Sequence, residues 1–134
     1  MKIHHQMLKI VDIQKLIEGA KATYTNLTLA LTNDHIVRLS IMTEPYFWHL
    51  HPNSDESFLV LEGTLFIDLE DVTIELLPNQ LFTVPKNIMH RTRPGNSRSV
   101  NLTFESRDME TIRSEPTGFS SCFLFPSHTY QCEG

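Results

Sequence analysis

The chain alternates apolar and polar residues over most of its length, from Tyr24 to Phe104. Successive side chains of a β-strand point to opposite faces, so this period of two predicts strands with one buried face. Turn-forming pairs such as Asn33-Asp34 and Pro78-Asn79 interrupt the alternation at short intervals. Short strands divided by turns, without a helical period between them, predict an all-β sandwich or barrel.

A helical period precedes the strands, over residues 10–19. Its apolar residues recur at helical spacing, Asp12 is a suitable N-cap, and Gly19 is a natural end. The sequence therefore predicts a short N-terminal helix that packs over one end of the barrel.

The length of 134 residues matches one domain with a single core. We predict a single domain over residues 1–134, with the barrel at about residues 23–105 and a tail at residues 106–134. A formal net charge of −5 does not provide the basic face that a nucleic acid or a membrane surface requires, so neither is an expected partner.

The N-terminus and the cysteines predict where the protein resides. The first residues contain no apolar block of the kind that a secretion signal needs. Cys122 and Cys132 have no companion pair at the spacing of a zinc site, and without export they are expected to stay reduced. These features predict a cytoplasmic protein.

The stretch between Tyr46 and Gly63 carries the candidate chemistry. A strand ending at His51 would point His49 and His51 to the same face. The Pro-Asn-Ser-Asp turn that follows leads to a second predicted strand, which begins at Glu56. If the two strands pair across the turn, the carboxylate faces both imidazoles.

Imidazole and carboxylate groups together suit a single divalent metal ion, whether iron, manganese, nickel, zinc or copper. His90, which follows a strand and a proline turn, is a fourth candidate ligand. Any of these residues alone would be better explained as part of the polar edge of an ordinary sandwich. Three candidate ligands whose side chains would face one another around a single turn, together with a histidine from a later strand, favour a metal site.

The spacing of these residues resembles the two motifs of the cupin superfamily. The first motif is His49-x-His51, four residues, Glu56, six residues and Gly63, and the second is Pro85-x-Asn87-x-x-His90. The resemblance extends from Ile36 to Phe104, and it implies a double-stranded β-helix, the jelly-roll barrel of the cupins. It also implies that His49, His51, Glu56 and His90 ligate the metal, and that the chain forms a homodimer.

The sequence departs from the family pattern at four positions. Thr43 stands at the opening glycine, Asn79 and Asn87 stand at two later glycines, and Pro94 stands at the closing asparagine. Asparagine tolerates a left-handed backbone better than other non-glycine residues, so the two later turns are expected to persist. Pro94 removes a polar side chain and leaves the predicted ligands unchanged.

Residues that point to the same strand face as the predicted ligands are expected to form the wall of a substrate pocket. Phe47 would point to the same face as His49, and Phe58 and Val60 to the same face as Glu56, so an apolar pocket is expected beside the metal. Such a pocket suits a small oxygen-bearing molecule. The arginines of the segment after His90 either clamp an anionic group of that molecule or are simply solvated.

Two functions remain open from the sequence. One is a metal-dependent enzyme, such as a dioxygenase or an isomerase-like protein. The other is a non-catalytic module that binds or senses a sugar or another small molecule. A separate general acid or base would indicate an enzyme, and the sequence offers no clear candidate. Tyr46 is nearby, but in an alternating strand its side chain would point away from the face that carries His49.

Overall fold

A computed structural model of the protein describes residues 2–3, 7–20, 24–116, 122–124 and 130–132. Strands make up most of the regular structure in these segments, together with one short helix. The elements are β1 (Lys2–Ile3), α1 (Ile13–Gly19), β2 (Thr25–Thr32), β3 (His35–Met42), β4 (His49–Leu50), β5 (Glu56–Glu62), β6 (Leu65–Asp68), β7 (Thr73–Leu76), β8 (Leu81–Val84), β9 (Arg91–Pro94), β10 (Ser99–Ser106), β11 (Ile112–Arg113), β12 (Cys122–Leu124) and β13 (Tyr130–Cys132).

Two sheets face each other and enclose the interior. The larger has the strand order β1-β2-β3-β10-β5-β8, and the smaller has the order β7-β6-β9. The short pair β4-β11 lies next to the smaller sheet, because His49 forms a β-bridge with His90, the residue before β9. The predicted all-β architecture is confirmed, and the topology is that of a double-stranded β-helix.

The predicted turns appear where the sequence places them. Strands β2 and β3 form a hairpin around Asn33, whose φ is 54°. Asn79 and Asn87 have φ values of 70° and 67°, so both asparagines adopt the left-handed backbone expected of the glycines that they replace. The exchange of glycine for asparagine therefore preserves the turns on both sides of β8.

The helix covers the outer face of the larger sheet. Asp12 caps it by accepting a hydrogen bond from the backbone N–H of Lys15 at 3.1 Å. Ile17 packs between the helix and the sheet, against apolar side chains from β2, β3 and β10. This outer core comprises Ile17, Leu27, Leu29, Leu39, Ile41, Val100 and Leu102.

A second apolar core fills one end of the space between the sheets. It comprises Met42, Phe58, Val60, Leu65, Ile67, Leu76 and Val84. The other end of this space is polar and contains the candidate site.

Two segments differ from the sequence prediction. The polar sequence from Arg91 to Arg98 predicts a loop, but Arg91–Pro94 is strand β9, because it pairs with β6 over its full length. The sequence from Asp108 to Arg113 predicts a helical turn, but Ile112–Arg113 instead forms strand β11 against β4. The tail thus completes the sheet next to the predicted ligands.

The apolar residues of the tail, including Phe119 and Phe125, are expected to cover the barrel mouth or to lie across a partner subunit. These residues fall outside the described part of the structure. Strands β12 and β13 pair so that the backbones of Cys122 and Cys132 lie opposite each other. The predicted reduced state of these cysteines concerns side chains that lie outside the described part of the structure. Within the described residues, no helix has the length and apolar character needed to cross a membrane.

Candidate metal centre

Four buried side chains meet between the two sheets. They are His49, His51, Glu56 and His90, and each offers a nitrogen or carboxylate oxygen within 4.8 Å of the others' ligand atoms. Two ligands of one transition-metal ion lie at most about 4.2 Å apart when each bond is about 2.1 Å long. A small inward movement of the side chains therefore suffices to place all four atoms around one ion.

The backbone brings these residues together from opposite sheets. His49 and His90 exchange two backbone hydrogen bonds of 3.0 and 2.9 Å, which fix their relative positions. His51 follows β4 directly, and its carbonyl accepts a hydrogen bond from the backbone N–H of Asn87 at 2.8 Å. Glu56, the first residue of β5, approaches from the larger sheet.

The predicted hairpin between the strands of His51 and Glu56 is wrong. Strand β4 pairs with β11, whereas β5 pairs with β10 and β8, so the turn at residues 52–55 crosses from one sheet to the other. The histidines and Glu56 consequently face each other across the interior and do not share one sheet surface.

Backbone carbonyl groups set the tautomer of each histidine. The Nδ1 atoms of His49, His51 and His90 lie 2.7, 2.9 and 2.8 Å from the carbonyl oxygens of Phe47, Glu110 and Ile88. A carbonyl only accepts, so in the neutral rings each Nδ1 carries the hydrogen. In the neutral rings, Nε2 then faces the site with its lone pair, which is the arrangement that a metal ligand requires. In the absence of an ion, the hydrogen bond from His51 to the ionised Glu56 places a proton on Nε2 of His51.

Glu56 links two of the three rings. Its Oε1 lies 3.0 Å from Nε2 of His51 and 3.4 Å from Nε2 of His90. Burial alone would raise the pKa of Glu56, but its hydrogen bond with His51 and its closeness to His90 and Glu105 outweigh that effect and lower the pKa below its usual range. The carboxylate is therefore ionised, as coordination requires.

The histidines respond differently to their surroundings. Burial lowers the pKa of His49 to about 4, and the neighbouring His90 adds to the effect. Burial also acts to lower the pKa of His51, but the hydrogen bond and the charge of Glu56 outweigh it, so that pKa is raised. The neutral form of His49, with a free Nε2, thus persists far below neutral pH.

The donor set fits a divalent metal ion. Nε2 of His90 is buried and has no hydrogen-bond partner, which is costly for a polar atom in a protein interior unless a ligand engages it. Three imidazole nitrogens and one carboxylate oxygen suit the transition metals predicted from the sequence. The four residues can hold such an ion.

A cavity of about 90 Å³ is lined by three of the four residues, His49, His51 and Glu56. Phe58 also lines it, whereas Val60 belongs to the apolar core and Phe47 is not among the lining residues. The wall also differs from the expected apolar character, because strands β2, β3 and β10 contribute polar side chains to it. These are Asn26, Arg38, Ser40, Asn101, Thr103 and Glu105.

Tyr46 lines the cavity, although the alternation of a strand predicted that its side chain would point away from His49. The residues from Pro45 to Trp48 are not in a strand, so the alternation of faces does not apply to them. The ring of Tyr46 packs edge-on against His49 with 5.1 Å between centroids. Phe47 instead stacks on Tyr46 and lies beneath the guanidinium of Arg113.

Arg38 and Glu105 are site residues that the sequence did not reveal. Nε of Arg38 lies 3.4 Å from Oε1 of Glu105, and Glu105 lies opposite Glu56 in the pairing of β10 with β5. Burial and the charge of Glu56 raise the pKa of Glu105 well above its usual range. The only sequence signal was a charged residue within an alternating strand, which usually marks a solvent-facing position.

The arginines after His90 do not reach the cavity. Arg91 and Arg93 both bond to the carboxylate of Asp68, with shortest distances of 2.9 and 2.8 Å. Arg98 pairs with Glu62 at 2.8 Å. These ion pairs, and not a substrate anion or solvent alone, account for the three arginines.

Replacing Asp68 with asparagine is expected to lower the free energy of unfolding by about 2 kcal/mol at pH 7. The hydrogen bonds from Arg93, Thr73 and Arg91 offset burial and lower the pKa of Asp68 to about 2. A lowered folded-state pKa stabilises the protein above the unfolded value near 3.8, and the contribution is lost as the pH falls towards 2. Urea unfolding at pH 7 and pH 3 measures this difference.

The matched control for that variant is Asp71→Asn, because Asp71 is exposed in the neighbouring turn. It is expected to leave stability almost unchanged at both pH values. A loss in Asp68→Asn that is equally large at pH 3 would contradict the assigned role of the ionised carboxylate.

The fold, together with a cluster of four residues that could hold a metal ion, defines a β-barrel of the jelly-roll class. Residues 42–101 match the family model described as the cupin domain. The Bacillus subtilis protein YdbB is 41% identical over 107 residues, which span 79% of this chain and 94% of YdbB. The chain belongs to the cupin family.

Two further proteins are similar to this chain. Polyketide synthase CurC from Streptomyces cyaneus is 28% identical over 104 residues, covering 72% of this chain and 67% of CurC. The crystal structure of a cupin-2 domain protein from Shewanella frigidimarina has a TM-score of 0.68 at 24% identity, over 73% of this chain and 95% of that chain. The latter similarity supports the fold.

Proposed function

We propose that the protein is a metal-dependent enzyme that acts on a small oxygen-bearing molecule. One divalent ion would be held by His49, His51, Glu56 and His90. The observation that carries this proposal is the convergence of three Nε2 atoms on one ionised carboxylate, with a backbone carbonyl holding the Nδ1 atom of each ring. A structural histidine cluster would not need all three tautomers set in this way.

The bound ion supplies Lewis acidity, which polarises an oxygen of the bound molecule. The chain's own residues orient the four donors, bury them, and provide the cavity in which the molecule lies. Phe58 forms an apolar part of the wall beside His90, at 6.3 Å between ring centroids. The remaining wall is mostly polar.

The structure supplies the protic groups that the sequence did not reveal, and these favour an enzyme over a binding module. Glu105 lies opposite Glu56 across paired strands, and the ring of Tyr46 packs against His49, so both lie on the cavity wall next to the predicted ligands. A dioxygenase or an isomerase-like reaction is the kind of activity that we propose. The similarity to CurC, named as a polyketide synthase, is consistent with an enzymatic role.

Metal analysis and turnover test this proposal. Protein purified without an affinity tag is expected to contain a stoichiometric divalent metal by elemental analysis. The metal-loaded protein is then expected to convert a candidate diphenol, diketone or hydroxy-carbonyl compound, followed by oxygen uptake or by product formation. Tight binding of such compounds without any product would favour the binding module, and the lack of stoichiometric metal would contradict the proposal.

We also propose a homodimer in the cytoplasm. The outer face of the larger sheet leaves Phe104 of β10 and Leu81 of β8 exposed by 36% and 61%, and we propose that this face meets the second copy. Leu81→Lys is expected to shift the protein towards the monomer in light-scattering measurements. Val72→Lys, at an exposed position just before β7 of the smaller sheet, is the control and is expected to leave the mass unchanged. A wild-type protein of monomeric mass would contradict the dimer.

A further inference from the structure

The inner face of the larger sheet is polar beside the candidate metal centre. Inward positions of a jelly roll normally pack a core, as Met42 and Val60 do at the apolar end. Next to the four predicted ligands, the inward positions of β3 and β10 instead carry Arg38, Asn101 and Glu105. Side chains of this kind are buried only when a partner compensates the loss of water.

Arg38 has an incomplete set of partners. Its Nε is buried and makes no hydrogen bond, since its contact with Glu105 at 3.4 Å is an ion pair without hydrogen-bond geometry. Among the residues that line the cavity, Arg38 is the one arginine or lysine. Arg98, by contrast, makes two hydrogen bonds to Glu62.

A second donor on the same sheet also lacks a partner. Nδ2 of Asn101 is buried without a hydrogen bond, and Asn101 lines the cavity with Arg38. An unsatisfied buried donor is costly, because it has lost its water and gained no partner. Nε of Arg38 and Nδ2 of Asn101 are both donors, so a molecule that satisfies them must present acceptor oxygens, and the guanidinium favours an acceptor that carries a negative charge. Oε2 of Glu105, on the same wall, is also without a hydrogen bond and can pair with a hydroxyl of that molecule.

The acidic groups of the cavity do not cancel this preference. Oε1 of Glu56 lies 3.0 Å from Nε2 of His51 and 3.4 Å from Nε2 of His90, so this carboxylate is directed towards the histidines. Glu105 approaches Arg38 only at Nε, at 3.4 Å and without hydrogen-bond geometry. The guanidinium of Arg38 remains available to an anion.

We propose that the cavity binds a small hydroxy- or oxo-carboxylate. Its carboxylate accepts from Arg38 and Asn101, and its hydroxyl or carbonyl oxygen lies at the four predicted ligands. The cavity of about 90 Å³ holds only a few non-hydrogen atoms beyond these two ends. The position of the hydroxyl or carbonyl oxygen at a metal ion rests on the proposed function. The recognition of the carboxylate rests on Arg38 and Asn101 alone.

Matched carboxylates and amides test this substrate class. Lactate with lactamide, glycolate with glycolamide, and pyruvate with pyruvamide differ mainly in charge. Isothermal titration of zinc-loaded protein is expected to show that at least one carboxylate binds ten- to hundredfold more tightly than its amide. Arg38→Met is expected to abolish this preference at unchanged zinc content, and the control Arg98→Met is expected to retain it.

The outcomes separate the substrate class from the metal site. The proposal would be overturned if carboxylate and amide bind equally, or if no carboxylate binds. It would also be overturned if the preference for the carboxylate survives in Arg38→Met, because the anion would then be bound by the metal alone. If zinc does not bind to the wild type, the metal proposal fails by itself. The same titrations on metal-free protein would then still show whether the Arg38-dependent preference exists.

Discussion

Replacing His51 with alanine is expected to reduce bound metal from a stoichiometric amount to a small fraction. The change removes one Nε2 donor and takes from Glu56 its closest partner, at 3.0 Å. Loss of a residue that merely orients a ligand typically weakens metal binding ten- to hundredfold, so loss of a ligand is expected to cost at least about a hundredfold in affinity. Elemental analysis after gel filtration, with a competitive zinc titration, measures the effect.

His35→Ala is the matched control for the loss of a histidine. The side chain of His35 is 63% exposed and contacts Asp34, at the turn between β2 and β3. This variant is expected to bind as much metal as the wild type. If His51→Ala retains the wild-type metal content in the same experiment, His51 is not a ligand and the proposed centre must be redrawn.

The sequence predicted which residues meet, but not how they meet. The order of His49, His51, Glu56 and His90 along the chain singles out the four residues that the structure brings together. The local alternation and the turn after His51 suggested a hairpin with the strand of Glu56. Strand β5 instead pairs with β10, which is more than thirty residues further along the chain. Such long-range pairing depends on the whole sheet, and no local pattern encodes it.

The pocket was harder to predict because alternation does not reveal which face of a strand is inside. Strand β3 has an apolar face with Leu39 and Ile41 and a polar face with Arg38. The usual rule would bury the apolar face between the sheets. Here helix α1 covers the apolar face from outside, so the polar face is free to line the cavity.

Gly63→Ala is expected to destabilise the fold by at least about 3 kcal/mol. Gly63 follows β5 with a φ of 74°, a left-handed conformation that costs alanine about 1–2 kcal/mol. An added Cβ would lie 2.5 Å from the carbonyl oxygen of Arg98 and 3.3 Å from the Cα of Ser99. Both contacts are with backbone at the start of β10, so relief would displace the strand that links β3 to β5.

Gly19→Ala separates this steric effect from a general effect of adding a methyl group. Gly19 is the last residue of α1, and a Cβ placed there would meet no atom within 4 Å. Alanine favours the helix, so this variant is expected to match or slightly exceed wild-type stability. Urea unfolding of the two variants at one pH provides the comparison. Equal midpoints would show that the turn after β5 can relax around a side chain, and that the glycine of the first motif does not fix the position of β10.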